Sequence, residues 1–68
     1  MRTFSADLSR FTSSGHGTLH DPATAQLRPG ERIAVTDDEA DTLEAEVIAV
    51  GNGSAEVQIF WDKVLHRA

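Results

Sequence analysis

The chain has 68 residues, a net charge of −5 and no cysteine. That length allows one small domain of marginal stability, and the lack of thiols excludes disulfide or thiolate–metal bracing, in keeping with a reducing compartment. No apolar run approaches the roughly 18 residues of a membrane helix, and Met1-Arg2-Thr3-Phe4-Ser5 leads into no apolar signal core, so the chain reads as a complete, soluble, cytoplasmic product.

Five of the six basic residues are Arg and Ala is frequent, a composition that leans towards a bacterial source. Charge is unevenly placed. Residues 1–32 hold four Arg against three acids, whereas Ile33 to Asp62 hold eight acids and no Lys or Arg. Clustered cations supply most of the non-specific affinity for nucleic acid, so this middle segment argues against a duplex as partner.

In chain order, Phe4, Ala6 and Leu8 alternate as in a strand, while Phe4, Leu8 and Phe11 also fall at helical spacing. The Ser and Thr content disfavours a helix interior, so a strand over 3–8 is expected. Residues 9–16 read as a loop and Gly17 to His20 as a second short strand. Pro22 and Pro29-Gly30 mark 21–30 as a loop that ends in a turn. Glu31 to Thr36 alternates, with Ile33 and Val35 on one face. Leu43 to Val50 and Ala55 to Trp61 are rich in β-branched residues, and Val64-Leu65 reads as a short last strand.

Gly51-Asn52-Gly53 joins the two best-patterned strands in a hairpin. A two-residue loop would set Glu46 against Ile59 and Glu44 against Trp61. A three-residue loop sets Leu43 against Trp61, Ala45 against Ile59, Val47 against Val57 and Ala49 against Ala55. All eight are apolar and share a side. A slip of one residue inverts every side chain, so this register is expected, with Gly53 at positive φ. The predicted core is Val35, Leu43, Val47, Val57, Ile59 and Trp61. The fold class is all-β, one domain over 1–68, built as a small barrel of five to six short antiparallel strands.

Leu27-Arg28-Pro29-Gly30-Glu31-Arg32-Ile33-Ala34-Val35 resembles the opening strand of SH3-like small barrels, the Tudor and KOW kinds included. Ala45-Glu46-Val47 and Val57-Gln58-Ile59-Phe60-Trp61-Asp62 are similar to the next two strands. The resemblance covers residues 27–62 and implies a fold; function does not follow from fold. A Tudor-like aromatic cage needs several aromatics around a cation, and this chain has no Tyr and one Trp. A KOW-like module on nucleic acid would be more basic.

Signals for chemistry are sparse. His16 and His20 are four apart, but Gly15 and Gly17 oppose a helix, and in a strand four residues span about 13 Å. A site would need Asp21 or His66 to join them. Asp37-Asp38-Glu39-Ala40-Asp41 has an EF-hand-like start without the Gly and Glu such a loop requires, and reads as a solvated turn. Nucleophile-elbow, phosphate-loop and dinucleotide patterns are absent. No catalytic residue, metal site or cofactor is expected.

The other side of the hairpin carries Ile48, Val50 and Phe60 among Glu44, Glu46, Glu56 and Gln58. Such a mixed face is either an apolar contact surface with an acidic rim, for another protein or a second copy, or a face covered by Phe4, Leu8 or Phe11. The expected function is a non-enzymatic protein-interaction or accessory module. The alternative is a nucleic-acid or ribosome-associated module that uses Arg2, Arg10, Arg28, Arg32, Lys63 and Arg67.

Overall fold

The computed structural model describes residues 1–39 and 41–67. Ala40, inside the acidic run, lies outside the described residues. Five strands form one sheet: β1 (Thr3–Ser5), β2 (His16–His20), β3 (Arg32–Thr36), β4 (Thr42–Val50) and β5 (Ser54–His66). Their order across the sheet is β1-β3-β4-β5-β2. The all-β expectation holds, but the all-antiparallel barrel does not. β1 runs parallel to β3, the other pairs are antiparallel, and the sheet is open, with β1 and β2 as its edges.

The N-terminal strand is shorter than its alternation suggests. It stops at Ser5 because Asp7 caps a 3-10 turn over Leu8–Arg10, its carboxylate accepting from the Ser9 amide at 3.1 Å. Leu8 and Phe11 then pack against the core as turn residues. The expected loop at 21–30 contains a second 3-10 turn, Pro22–Gln26, capped by Asp21. Thr24 within it is fully buried, and its hydroxyl donates to the Asp21 carbonyl at 2.7 Å. A buried hydroxyl without such a partner would cost stability.

The β4–β5 hairpin contains both registers that the sequence allows. Val47 lies opposite Val57, Glu46 opposite Gln58 and Ala45 opposite Ile59, as the three-residue loop requires. Nearer the tip, however, Ala49 lies opposite Glu56 and Val50 opposite Ala55, and the Gly51 amide donates to the Ser54 carbonyl at 2.8 Å. The connection is thus the two-residue Asn52-Gly53 loop, with Gly53 at φ 75°. Ile48 is the extra residue, a bulge that reconciles the tight turn with the apolar pairing. Two placements change as a result. Ala49 turns outward, and Val50 turns inward to pack against the core.

A larger irregularity follows Ile59. Leu43 lies opposite Val64, not Trp61, so Phe60 to Lys63 face the single residue Glu44. Val64 therefore takes the place expected of Trp61 and belongs to β5 rather than to a separate strand. Trp61 is 41% exposed and its indole N–H donates to the Ser13 carbonyl at 3.0 Å. An indole buried in the apolar row would have left that N–H unpaired.

The core is otherwise the expected row. Val35, Leu43, Val47, Val57 and Ile59 are buried, and Ile33, Ala45, Ala55, Leu19, Leu27 and Phe4 join them. Full burial of each large aliphatic side chain stabilises the fold by about 1.5–3 kcal/mol. Phe11 lies across Gly17 on the inner face of β2, where any Cβ at position 17 would collide with the ring.

Candidate interaction surface

Strand alternation sends Arg32, Glu44, Glu46, Ile48, Glu56, Gln58 and Phe60 to the outer side of the sheet, away from the Ile33–Val47–Val57 core. The register puts Arg32 opposite Glu46, and its guanidinium meets Glu44 at 2.7 Å and Glu46 at 3.5 Å. The same guanidinium lies 4.8 Å from the centre of the Phe60 ring, and the Lys63 ammonium lies 5.9 Å from it. A cation over an aromatic face is held by the ring quadrupole. Phe60 is therefore roofed by two cations, and Glu44 and Glu46 are engaged with Arg32.

The N-terminal segment reaches this side at Gln58, whose amide donates to the Ser14 carbonyl, but its apolar residues do not cover Ile48. Phe4, Leu8 and Phe11 all pack on the core. Ile48 is left 47% exposed, beside a shallow cavity of about 340 Å³ lined by His16, Thr18, Ile48 and Glu56, with Gly17 and Val57 below. Of the six residues expected to form a contact surface, Ile48, Phe60, Glu44, Glu46 and Glu56 share the outer side and Val50 does not. The bulge that exposes Ile48 is the same feature that removes Val50.

Several cations among the described residues have carboxylate partners. Arg2 pairs with Glu31 at 3.9 Å, Arg10 with Asp7 at 3.9 Å, and Arg32 with Glu44 and Glu46. Arg67 lines a cavity of about 260 Å³ with Asp37, Asp41 and Trp61. His16 and His20 sit at the two ends of β2, opposite Gln58 and Ser54, while His66 lies opposite Thr42 at the far end of β5. Among the described residues no three His, Asp or Glu side chains are placed to share a metal ion, and no helix is long and apolar enough to cross a membrane.

The Asp7 carboxyl is held below the usual carboxylate range. The Ser9 hydroxyl donates to it at 2.6 Å and the Ser9 amide at 3.1 Å, and Arg10 adds a smaller electrostatic pull. This is capping chemistry on an exposed turn.

Sequence reasoning missed the Arg32–Phe60 stack. Its signal was present in the register: once Val47 is set against Val57, Glu46 falls beside Gln58, and Arg32 is the nearest cation across β3. Comparison with family models, with curated proteins and with solved structures finds no significant match in any of the three.

Proposed function

We propose that the chain is a non-enzymatic protein-interaction module of SH3-like kind, acting in the cytoplasm through the outer side of its sheet. The resemblance behind this reading covers residues 27–62, which here form the antiparallel run β3–β4–β5. The observation that carries the function is Ile48: a large apolar side chain placed by a bulge on an uncovered face, next to exposed Glu56. Bulges re-aim side chains at functional positions, and an apolar centre with a polar rim is the composition of a protein interface. The pairing of Arg2, Arg10 and Arg32 with acids weighs against the nucleic-acid reading.

A photo-crosslinking side chain at position 48, expressed in the source cells, tests this. The expected result is a discrete adduct with one protein, or with a second copy, that exceeds the yield from the same group at Asp38. Equal yields at the two positions would overturn it.

A further inference from the structure

The two edges of the sheet open onto the same cleft. Phe4 of β1 and Leu19 of β2 enter one core, so the sheet curls until its ends approach each other. A cavity of about 330 Å³ lies between them, lined by Ser5 and Ala6 from one side, Thr18, Leu19 and His20 from the other, and Phe11. Asp7 and Arg10 also border it. A second cavity of about 330 Å³ shares Ser5, Ala6 and Asp7 and extends to Thr36, Asp37 and Asp38.

Hydrogen-bond parity shows what each edge offers. On β2, the Gly15 carbonyl accepts from Ile59 and the Asp21 amide donates to Gly53. With Gly17 opposite Val57 and Leu19 opposite Ala55, the odd-numbered residues bond to β5, and His16, Thr18 and His20 point their backbone groups outward. Thr12 already serves His16: its amide donates to the His16 carbonyl at 2.9 Å and its hydroxyl accepts from the His16 amide at 3.0 Å. On β1, the Arg2 carbonyl accepts from Ala34 and the Ala6 amide donates to Thr36, so Thr3 and Ser5 face outward. Ser5, Thr18 and His20 thus present open backbone donors and acceptors to one cleft. Natural sheets blunt exposed edges with Lys, Pro or a bulge; β1 and β2 contain no Lys, Pro or carboxylate.

We propose that this sheet is one strand short of closure, and that the cleft between β1 and β2 takes an extended peptide from another protein, paired through its backbone to Ser5, Thr18 and His20. The added strand runs antiparallel to one edge and parallel to the other. This is strand addition, in which the main chain gives affinity and alternate side chains give specificity. An apolar side chain of the peptide fits against Ala6, Phe11 and Leu19. Asp37 and Asp38 border the far cavity, so a basic side chain belongs at that end. The cleft shares Thr18 with the Ile48 cavity but does not include Ile48 or Glu56, and either reading can hold without the other.

The test uses the full chain and an end-capped hexapeptide alternating valine with lysine and threonine. Its control carries an N-methyl group on every backbone amide and can donate to neither edge. In the free chain, the Gly17 and Leu19 amides should exchange slowly with solvent and the Thr18 and His20 amides fast. At peptide concentrations about ten times its Kd, exchange at Ser5, Thr18 and His20 should slow roughly tenfold, and the control should do nothing. Lysine-to-glutamate peptides should bind about two- to five-fold more weakly. Thr18→Pro removes an amide that faces away from β5 and has no partner among the described residues, so it should fold and lose the effect. Four results would overturn the proposal: slow exchange at Thr18 in the dilute free chain, equal binding by the N-methyl control, no binding at millimolar peptide, or shifts confined to Ile48 and Glu56. Protection at Thr18 that rises with protein concentration alone would also overturn it, by naming a second copy as the occupant.

Discussion

Arg32 on β3 and Phe60 on β5 meet across β4, the guanidinium carbon 4.8 Å from the ring centre. The contact spans three strands and takes in Glu44 and Glu46. Arg32→Ala should therefore loosen the outer face as a unit. A half-exposed cation on a ring contributes about 0.5–1 kcal/mol, and each screened ion pair a few tenths. The expected loss is about 1–2 kcal/mol by urea denaturation, smaller at high salt. Arg32→Lys should recover only part of it, because an ammonium does not lie flat on a ring while also reaching two carboxylates. A loss below the measurement error in low salt would show that the stack is incidental.

Ile59 and Trp61 are two apart on one strand, yet their burial differs: Ile59 is 1% exposed and Trp61 is 41% exposed. Truncation should separate them. Val47→Ala and Ile59→Ala should each cost about 1–4 kcal/mol from lost burial and the cavity left behind. Trp61→Ala should cost about 1 kcal/mol, much of it the hydrogen bond to Ser13. Thermal melts of the three variants check the order. A larger cost for Trp61 than for Ile59 would contradict the bend in β5.

Much of this fold was legible, and the misses share a cause. Alternation located β3, β4 and the first half of β5, and set Val47 against Val57, because a period-two pattern has only two registers and one of them buries Glu44 and Glu46. Alternation assumes an unbroken strand. It has no means of registering the extra residue at Ile48, which turned Val50 inward, or the four residues facing Glu44, which turned Trp61 outward. Those depend on the tight Asn52-Gly53 turn and on the Ser13 carbonyl, a partner 48 positions away in sequence. The parallel pairing of β1 was hidden for a related reason. Three residues carry too little pattern to choose a neighbour, and only the three-dimensional course of the chain brings Phe4 beside Val35. The candidate contact residues were found as a set because they share a face, and Val50 left it with the bulge.

Asp7 gives the chain a small acid sensitivity whose sign follows from its partners. The Ser9 hydroxyl and amide, then Arg10, favour the ionised carboxylate and hold its pKa below the unfolded value. A group of this kind stabilises the folded state above the ordinary carboxylate range, and that contribution is lost as pH falls through the lowered folded value. Ser9→Ala removes the hydroxyl, the largest cause. The Asp7 carboxyl should then titrate at higher pH, nearer an ordinary aspartate, as followed by its carboxyl carbon resonance. An unchanged midpoint would mean that the amide alone maintains the shift.

Ile48 can be deleted rather than replaced, and the ladder states what should follow. Val47 pairs with Val57, Ala49 with Glu56 and Val50 with Ala55, so between Val47 and Val50 it is Ile48 that lacks an opposing residue. Without it, Val47, Ala49 and Val50 become consecutive in a regular strand: inward, outward, inward. The existing pairs and the Asn52-Gly53 loop all survive, and no core side chain changes face. The shortened chain should fold with the same slow-exchanging amides along β4 and β5, and with stability within about 1 kcal/mol of the parent, since a half-exposed side chain is lost and a bulge is relieved. Its outer face, however, loses the apolar side chain beside Glu56. If Ile48 is a contact residue, the deletion abolishes association while the fold is kept, a separation that substitution in the core does not give. If instead the deletion unfolds the chain, the bulge is needed to bend β4 over the core. Exchange mapping of the deleted chain, beside its mass in solution, reads both outcomes.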